Sequence, residues 1–351
     1  MSIDADLLKQ YTMLAWGYKQ GESVALMIHL GVRLGLYQAM DGAGPVTPGD
    51  LAAITGMHER WLREWLRSQA AADLLVSDEG ETFELQVEAA MVLAHVDTPT
   101  YAGGVFAHLR DPRVADGLAD AFRTGLGLTY DGQGEGSEQH VEAMLAPMAR
   151  ALLVPRVIPA LEGVVDLLAA GAKVIDVGCG TGLAIELMAA EWSNCTFEGY
   201  DVSERAVEVA RKRFDGLDNV TIHLAGGEEL PPAGDADLIM TLDCLHDMPR
   251  PDLAMRAIRQ AISDDGTWLI KEIKSSPDWS KNRRNPMLAM MYATSVASCM
   301  SSAMSSTDGL GLGTLGMNPT VVESMVTEAG FTRFSLYDLD DPTNLYYEVR
   351  P

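Results

Sequence analysis

The sequence predicts an α/β chain in which a Rossmann-like sheet of seven strands occupies residues 166–351 and a mostly helical winged-helix domain occupies 1–99. Two observations carry this. Apolar runs of strand length alternate with amphipathic helical segments throughout the second half, the pattern of a parallel sheet covered on both faces. In the first half, three helical segments are followed by two short strands around a tight turn.

Taken in order, residues 22–40 carry apolar side chains at helical spacing, Leu30, Leu34 and Leu36 among them, and stop before Asp41-Gly42. Pro45-Val46-Thr47-Pro48 opens a second helix over 49–55, and Gly56 separates it from a third over 58–72. Strands at 74–77 and 82–85 flank the turn Asp78-Glu79-Gly80-Glu81 and form the wing. Residues 100–139 are glycine-rich and read as a mobile connector of loops and short helices, leading to a helical segment at 138–168, so that 100–165 serves as connector and lid. The predicted strands then run 173–177, 196–200, 220–224, 236–242 and 266–272, and a hairpin of 334–338 and 345–349 closes the edge.

An apolar fraction of 47% with 22% charged residues gives the 351-residue chain enough material for two cores. The formal net charge of -24 opposes long-range association with nucleic acid and anionic membranes. The winged helix shares this bias: residues 1–100 hold six Lys or Arg against fourteen Asp or Glu, which suits a packing and dimerisation module better than a DNA reader. No apolar stretch reaches the ~20 residues of a membrane span, and residues 1–10 carry acids where a signal peptide carries bases, so a cytoplasmic location is expected. Cys179, Cys195, Cys244 and Cys299 form no CxxC pair, so they are expected as buried small residues, with neither disulfides nor a metal site.

The chemistry concentrates after the first strand of the second half. Val174-Ile175-Asp176-Val177 runs into Gly178-Cys179-Gly180-Thr181-Gly182 and a helix, a turn that lets backbone N-H groups approach a polar ligand closely. A dinucleotide site would use related glycines, but its GxGxxG spacing differs from GCGTG preceded by an acid. Asp201, with Val202 beside it, ends the next strand about twenty residues on, where a carboxylate can grip both ribose hydroxyls; capping the helix that follows Ser203 is its alternative role. After the third strand, Gly226-Gly227-Glu228-Glu229 offers an acceptor for an adenine amino group or plain surface charge. After the fourth come Asp243 and His246-Asp247, and after the fifth Glu272.

These motifs resemble the S-adenosylmethionine (SAM) binding signature of class I methyltransferases. The likeness extends through Leu34-Gly35-Leu36-Tyr37, Glu64-Trp65-Leu66-Arg67-Ser68-Gln69, Asp265-Gly266-Thr267-Trp268 and Asn344-Leu345-Tyr346-Tyr347-Glu348 to bacterial enzymes with an N-terminal winged helix. These are similar in layout to caffeic-acid-type O-methyltransferases and to small-thiol methyltransferases. The resemblance implies a homodimer with interleaved N-terminal domains, SAM as cofactor, and Asp176, Gly178, Cys179, Gly180, Thr181, Gly182, Asp201, Val202, Gly227, Glu228, Glu229 and Asp243 around it. It also implies His246 as general base, supported by Asp247 or Glu272; a cap on the helix near Pro251 is the structural alternative for the histidine.

One departure is that Gly316-Met317-Asn318 replaces a second supporting acid. With Met144, Met148, Met287 and Met291 as candidate pocket walls beside Tyr130, His140 and Tyr292, this shifts the expected acceptor toward sulfur, a small thiol, sulfide or thioether, ahead of a hydroxylated metabolite. Methionine at helical spacing also suits core packing, and the basic run Lys281-Asn282-Arg283-Arg284 reads either as an attractor for a carboxylate or as a solvated loop.

Overall fold

A computed structural model describes residues 3–109 and 111–351. It divides into two compact units. One runs to Leu109 and includes Ala143–Pro147; the other holds the connector up to Glu142 and all of Met148–Pro351.

The first unit contains α1 (Ala5–Arg33), α2 (Leu36–Met40), α3 (Pro48–Thr55), α4 (Glu59–Ala71) and α5 (Val87–Leu93). The helix expected at 22–40 is therefore two helices, and the first begins much earlier. Asp4 caps α1 by accepting from the amides of Asp6 and Leu7, and Gly35 (φ 68°) breaks the chain before α2. The apolar side chains of residues 5–21 meet no core among the described residues: Tyr11 and Tyr18 are 67% and 76% exposed.

The other helix boundaries agree with expectation. Thr47 and Asp50 form a capping box at α3, and His58 caps α4. The core gathers Tyr37, Met40, Leu51, Trp65, Leu66 and Phe83; Tyr37 and Trp65 pack edge to face at 5.2 Å, and the Trp65 indole donates to the Met27 carbonyl at 2.9 Å. The pairing of the two predicted wing strands shrinks to a single bridge, Val76 with Glu84, while Phe83 bridges instead to Val46 in the segment that leads to α3. Adjacent residues of one chain pair with different neighbours there, so neither ladder extends.

In the second unit α6 (Pro112–Thr124), capped by Asp111, is one of the helices expected in the glycine-rich connector, at 13 residues a full helix rather than a short one. The helical segment predicted at 138–168 is interrupted. α7 (Ser137–Leu152) passes into a π-helical turn, Leu153–Val157, whose Pro155 has no N-H for a regular ladder, and Gly163 (φ 71°) starts a separate helix, Val164–Ala170.

The sheet comprises β1 (Lys173–Val177), β2 (Thr196–Asp201), β3 (Val220–Leu224), β4 (Ala236–Leu242), β5 (Ile262–Ile273), β6 (Arg333–Tyr337) and β7 (Asn344–Arg350), in the order β3-β2-β1-β4-β5-β7-β6. All seven predicted strands are present; β5 starts four residues earlier than expected. β1 to β5 are mutually parallel, and β7 runs antiparallel to both neighbours. Successive residues of each strand feed opposite cores. Val174, Phe197, Leu238 and Leu269 pack on one side, whereas Ile175, Ile239, Trp268 and Tyr347 pack on the other against the helices Pro251–Ala261 and Pro319–Glu328. Strand order reverses between β1 and β4, which opens a crevice at their carboxyl ends, where ligands bind in open α/β sheets.

Candidate active site

Four strand ends meet at that crevice. β1 delivers Asp176, fully buried at 2% exposure, with an Oδ1 that finds no hydrogen-bond partner among the described residues. Burial, reinforced by the neighbouring charge of Asp201, pushes its carboxyl up to about 7. An orphaned buried carboxylate oxygen calls for a donor or a cation that the chain itself does not supply.

The turn after β1 requires its glycines. Gly178 has φ 74°, and a β-carbon there would lie 2.7 Å from the Cys244 side chain; Gly180 has φ 55° and opens onto free space. The Gly180 amide donates to Asp201 Oδ2 at 2.8 Å, and the Ser203 amide donates to Oδ1 at 2.8 Å. Asp201 thus staples the glycine turn to the start of the helix Glu204–Arg213 and keeps lone pairs on both oxygens for a ligand. That helix is capped by Ser203, whose hydroxyl accepts from the Ala206 amide, so Asp201 is not its N-cap.

The connector folds onto this rim. Asp131 accepts from the Ser203 hydroxyl at 2.5 Å and the Glu204 amide at 3.0 Å, while the Arg205 guanidinium donates to the carbonyls of Asp131 and Gly134 at 2.8 and 2.9 Å. Glu142 accepts from the Thr181 hydroxyl and, at 2.6 Å, from Arg213. Asp131, Glu142 and Arg205 were not identifiable from sequence, because each acts through partners tens of residues away. Tyr130 lies within the electrostatic reach of Asp247, Asp201, Cys299 and Cys244, and burial above all holds its hydroxyl well above the ordinary tyrosine range.

The imidazole of His246 is buried at the end of β4, in the short turn Leu245–Asp247. Its Nδ1 lies 2.6 Å from Glu272 Oε2, and Glu272 Oε1 accepts from the His246 amide at 3.3 Å. Glu272 is itself fully buried. Nε2 stands 3.2 Å from Asp247 Oδ1, which makes no aligned hydrogen bond, and the Cys299 thiol completes the cluster. Burial alone would lower the histidine's pKa, but the Glu272 and Asp247 charges outweigh it and raise it well above the usual imidazole range. Because Glu272 grips both ring and backbone, the geometry favours a held imidazole over a helix cap.

Other predicted residues stand elsewhere or have other partners. Asp243 adopts the left-handed backbone (φ 56°) and spends its carboxylate on Lys271 and Asn344, which leaves it a buttress between β4, β5 and β7. Val202, Glu228 and Glu229 are exposed, whereas Cys179, Thr181 and Gly227 are buried around the turn. Met144 belongs to the first compact unit, and His140 lies on α7 in the second. Tyr292 packs against Trp279 at 5.7 Å, and Met291 Sδ accepts from Asn285 at 3.3 Å. Met287 and Met290 are about half exposed, so core packing does not explain them.

Residues 168–324 match the family described as a methyltransferase domain. Residues 168–324 are a class I, SAM-dependent methyltransferase domain. Residues 22–95 match a Rv2258c-like winged HTH domain, which agrees with the winged helix expected at the N-terminus. Among curated relatives, the ubiquinone biosynthesis O-methyltransferase of Aromatoleum aromaticum is 36% identical over 100 residues, 28% of this chain and 42% of the relative. The chain therefore spans well under two thirds of that relative's length.

Two solved structures share the fold along nearly the whole chain. Human N-acetylserotonin methyltransferase in complex with SAM has a TM-score of 0.67 at 18% identity and covers 99% of each chain. An O-methyltransferase family protein from Burkholderia thailandensis has a TM-score of 0.66 at 18% identity, covering 100% of this chain and 98% of the other.

Proposed function

We propose that this chain transfers a methyl group from SAM to a hydroxyl of a small molecule, with His246 as the base. The observation that carries the reading is the 2.6 Å contact between His246 Nδ1 and Glu272, which orients the ring and presents Nε2 as the proton acceptor. The O-methyltransferase relative of the matched segment supports oxygen as acceptor over the sulfur expected from composition. Met287, one of the methionines behind the sulfur expectation, is about half exposed, as is Met290 beside it.

The residues present fit the cofactor. Asp176 and Asp201 offer carboxylate oxygens at adjacent strand ends, one orphaned and one with spare lone pairs, while the open face of Gly180 admits a ligand against the backbone. Bound there, SAM supplies a methyl carbon on a good leaving group. Asp201 would hold its ribose diol and Asp176 would compensate its positive charge. The turn fixes position, and His246 takes the acceptor's proton while Glu272 stabilises the imidazolium.

Incubation with SAM and a panel of catechols, hydroxylated quinone precursors, sulfide, methanethiol and methylthio-hydroxy acids tests the choice. Methylated oxygen products are expected, and turnover confined to the sulfur compounds would defeat the oxygen assignment.

The proposal includes a homodimer through the N-terminal unit. Leu7, Tyr11, Leu14 and Tyr18 repeat at 4, 3 and 4 residues along α1, a stripe on one helical face, and all four are exposed in the single chain.

A further inference from the structure

Cys299 was read from sequence as an inert buried residue. The structure brings it to His246 and Asp247: one ligand atom from each of the three lies within 4.8 Å of the others. Cys299 ends the π-helical turn Ser295–Cys299, and such single-turn widenings re-aim side chains within an otherwise regular helix.

Three features suit a cation. Glu272 engages His246 at Nδ1, so Nε2 is the nitrogen directed to the cluster, the carboxylate-histidine arrangement that orients a metal ligand. The Nε2 to Asp247 Oδ1 separation of 3.2 Å is close to the edge of a tetrahedron with bonds of about 2.0–2.1 Å. Asp247 Oδ1 is buried beside Nε2 without an aligned hydrogen bond to it, and the Cys299 thiol lies within hydrogen-bonding reach of both side chains, so the three donor atoms already converge on one point. A nitrogen, a carboxylate oxygen and a thiolate form a donor set for zinc or cadmium rather than magnesium or calcium.

We propose that His246, Asp247 and Cys299 form a binding site for a soft divalent cation of the zinc class, with a fourth position open, and that its occupation silences methyl transfer. Binding forms bonds from the metal to Nε2, Oδ1 and Sγ, and the thiol proton leaves to solvent together with the imidazolium proton wherever His246 carries one. No oxidation occurs. The inhibitory consequence rests on the base role of His246, because a metal on Nε2 removes the lone pair that would accept the acceptor's proton; the binding itself does not depend on that role.

Cobalt(II) chloride, titrated into the full-length protein with a reductant present that does not bind metals, reads binding without activity. The expected result is one equivalent of tightly bound cobalt with a thiolate-to-metal band in the near ultraviolet and intense visible bands of tetrahedral geometry. Zinc chloride should displace it. Cys299→Ser and Cys299→Ala should lose the near-ultraviolet band, and zinc should inhibit each of them at least tenfold less, relative to its own metal-free rate, than it inhibits the parent. Circular dichroism and SAM binding confirm that at least one of the two variants is folded; Asp247→Asn, expected to weaken cobalt at least tenfold, gives a second route.

Absence of the thiolate band, or its persistence in a folded Cys299 variant, would overturn the site. Stoichiometric cobalt with undiminished turnover would overturn the silencing and, separately, count against His246 as the base.

Discussion

Asp201→Asn separates the observed role of one carboxylate, holding the glycine turn, from the role the proposed function gives it, holding a ribose. In the structure each oxygen accepts one backbone amide, from Gly180 and from Ser203, both at 2.8 Å. An asparagine of the same shape must turn its NH2 toward one of them, placing donor against donor, and leaving one N-H unsatisfied costs about 1–3 kcal/mol. That cost falls on free and bound protein alike, so it appears as stability: about 2–12 °C in the melting temperature of a unit of this size.

The ligand role is distinct. Losing one charge-assisted bond to a ribose hydroxyl costs about 1.5–3 kcal/mol in the complex alone, which is roughly 10- to 150-fold in Kd. Differential scanning calorimetry reads the first quantity, and titration calorimetry with SAM or its demethylated product, below the variant's melting temperature, reads the second. A destabilised variant whose Kd stays within threefold of the parent would reduce Asp201 to a staple for the glycine turn and refute its place in the cofactor site.

His246→Ala should lower kcat about 10²- to 10⁴-fold with an oxygen acceptor while leaving SAM affinity nearly unchanged, as measured by single-turnover kinetics beside calorimetry. The base must be neutral to act, and the raised pKa of His246 keeps it protonated further up the scale. The acid limb of the kcat profile should therefore lie above the ~6.5 of an ordinary imidazole. In Glu272→Gln that limb should move to lower pH, because the charge that holds the proton is gone while burial still disfavours it; an unmoved limb would assign the profile to another group. Leu14→Asp combined with Tyr18→Asp, in the exposed stripe of α1, should convert the proposed dimer to monomer by analytical ultracentrifugation without melting the unit, since neither side chain is buried in the single chain.

Much of the second unit was legible in sequence because its signals are local. A strand bounded by glycine and followed by a helix needs no distant partner to be recognised, and all seven strands were found. Asp176, Asp201, His246 and Glu272 could be located along the fold because each lies at or just beyond the carboxyl end of a strand that the apolar pattern marks, and parallel strands bring their ends together. What stayed hidden is pairwise and remote. The Asp131 and Glu142 contacts span about seventy and forty residues, and Cys299 reaches His246 from a π-helical turn that no periodicity announces. Asp243 illustrates the converse: its position after β4 suits a ligand contact, yet Lys271 and Asn344 claim it, a pairing visible only once β5 and β7 lie alongside. The early start of α1 is not legible because the apolar side chains of its first turns, Leu7, Tyr11, Leu14 and Tyr18, meet no core among the described residues.

The charge balance of the crevice has a consequence for binding. Asp176, Asp201, Asp247 and Glu272 all act on the same buried neighbour, raising the Cys244 thiol beyond what burial alone does, and His246 is the basic group hydrogen-bonded among them. Lys271 is already committed to Asp243. Carboxylates crowded in this way hold protons they would release in water, and Asp176 at about 7 is near half protonation at neutral pH. A cationic ligand favours the ionised acid and the neutral imidazole, so it lowers the pKa of both Asp176 and His246. Each shift expels protons, and the two contributions add. SAM binding near pH 7 should therefore release a fraction of a proton or more, and the release should shrink at pH values well above both groups, where the protons have already left. Calorimetry in buffers of different ionisation enthalpy measures this directly. Net proton uptake, or an observed enthalpy independent of buffer at pH 7, would show that the sulfonium does not bind beside these carboxylates.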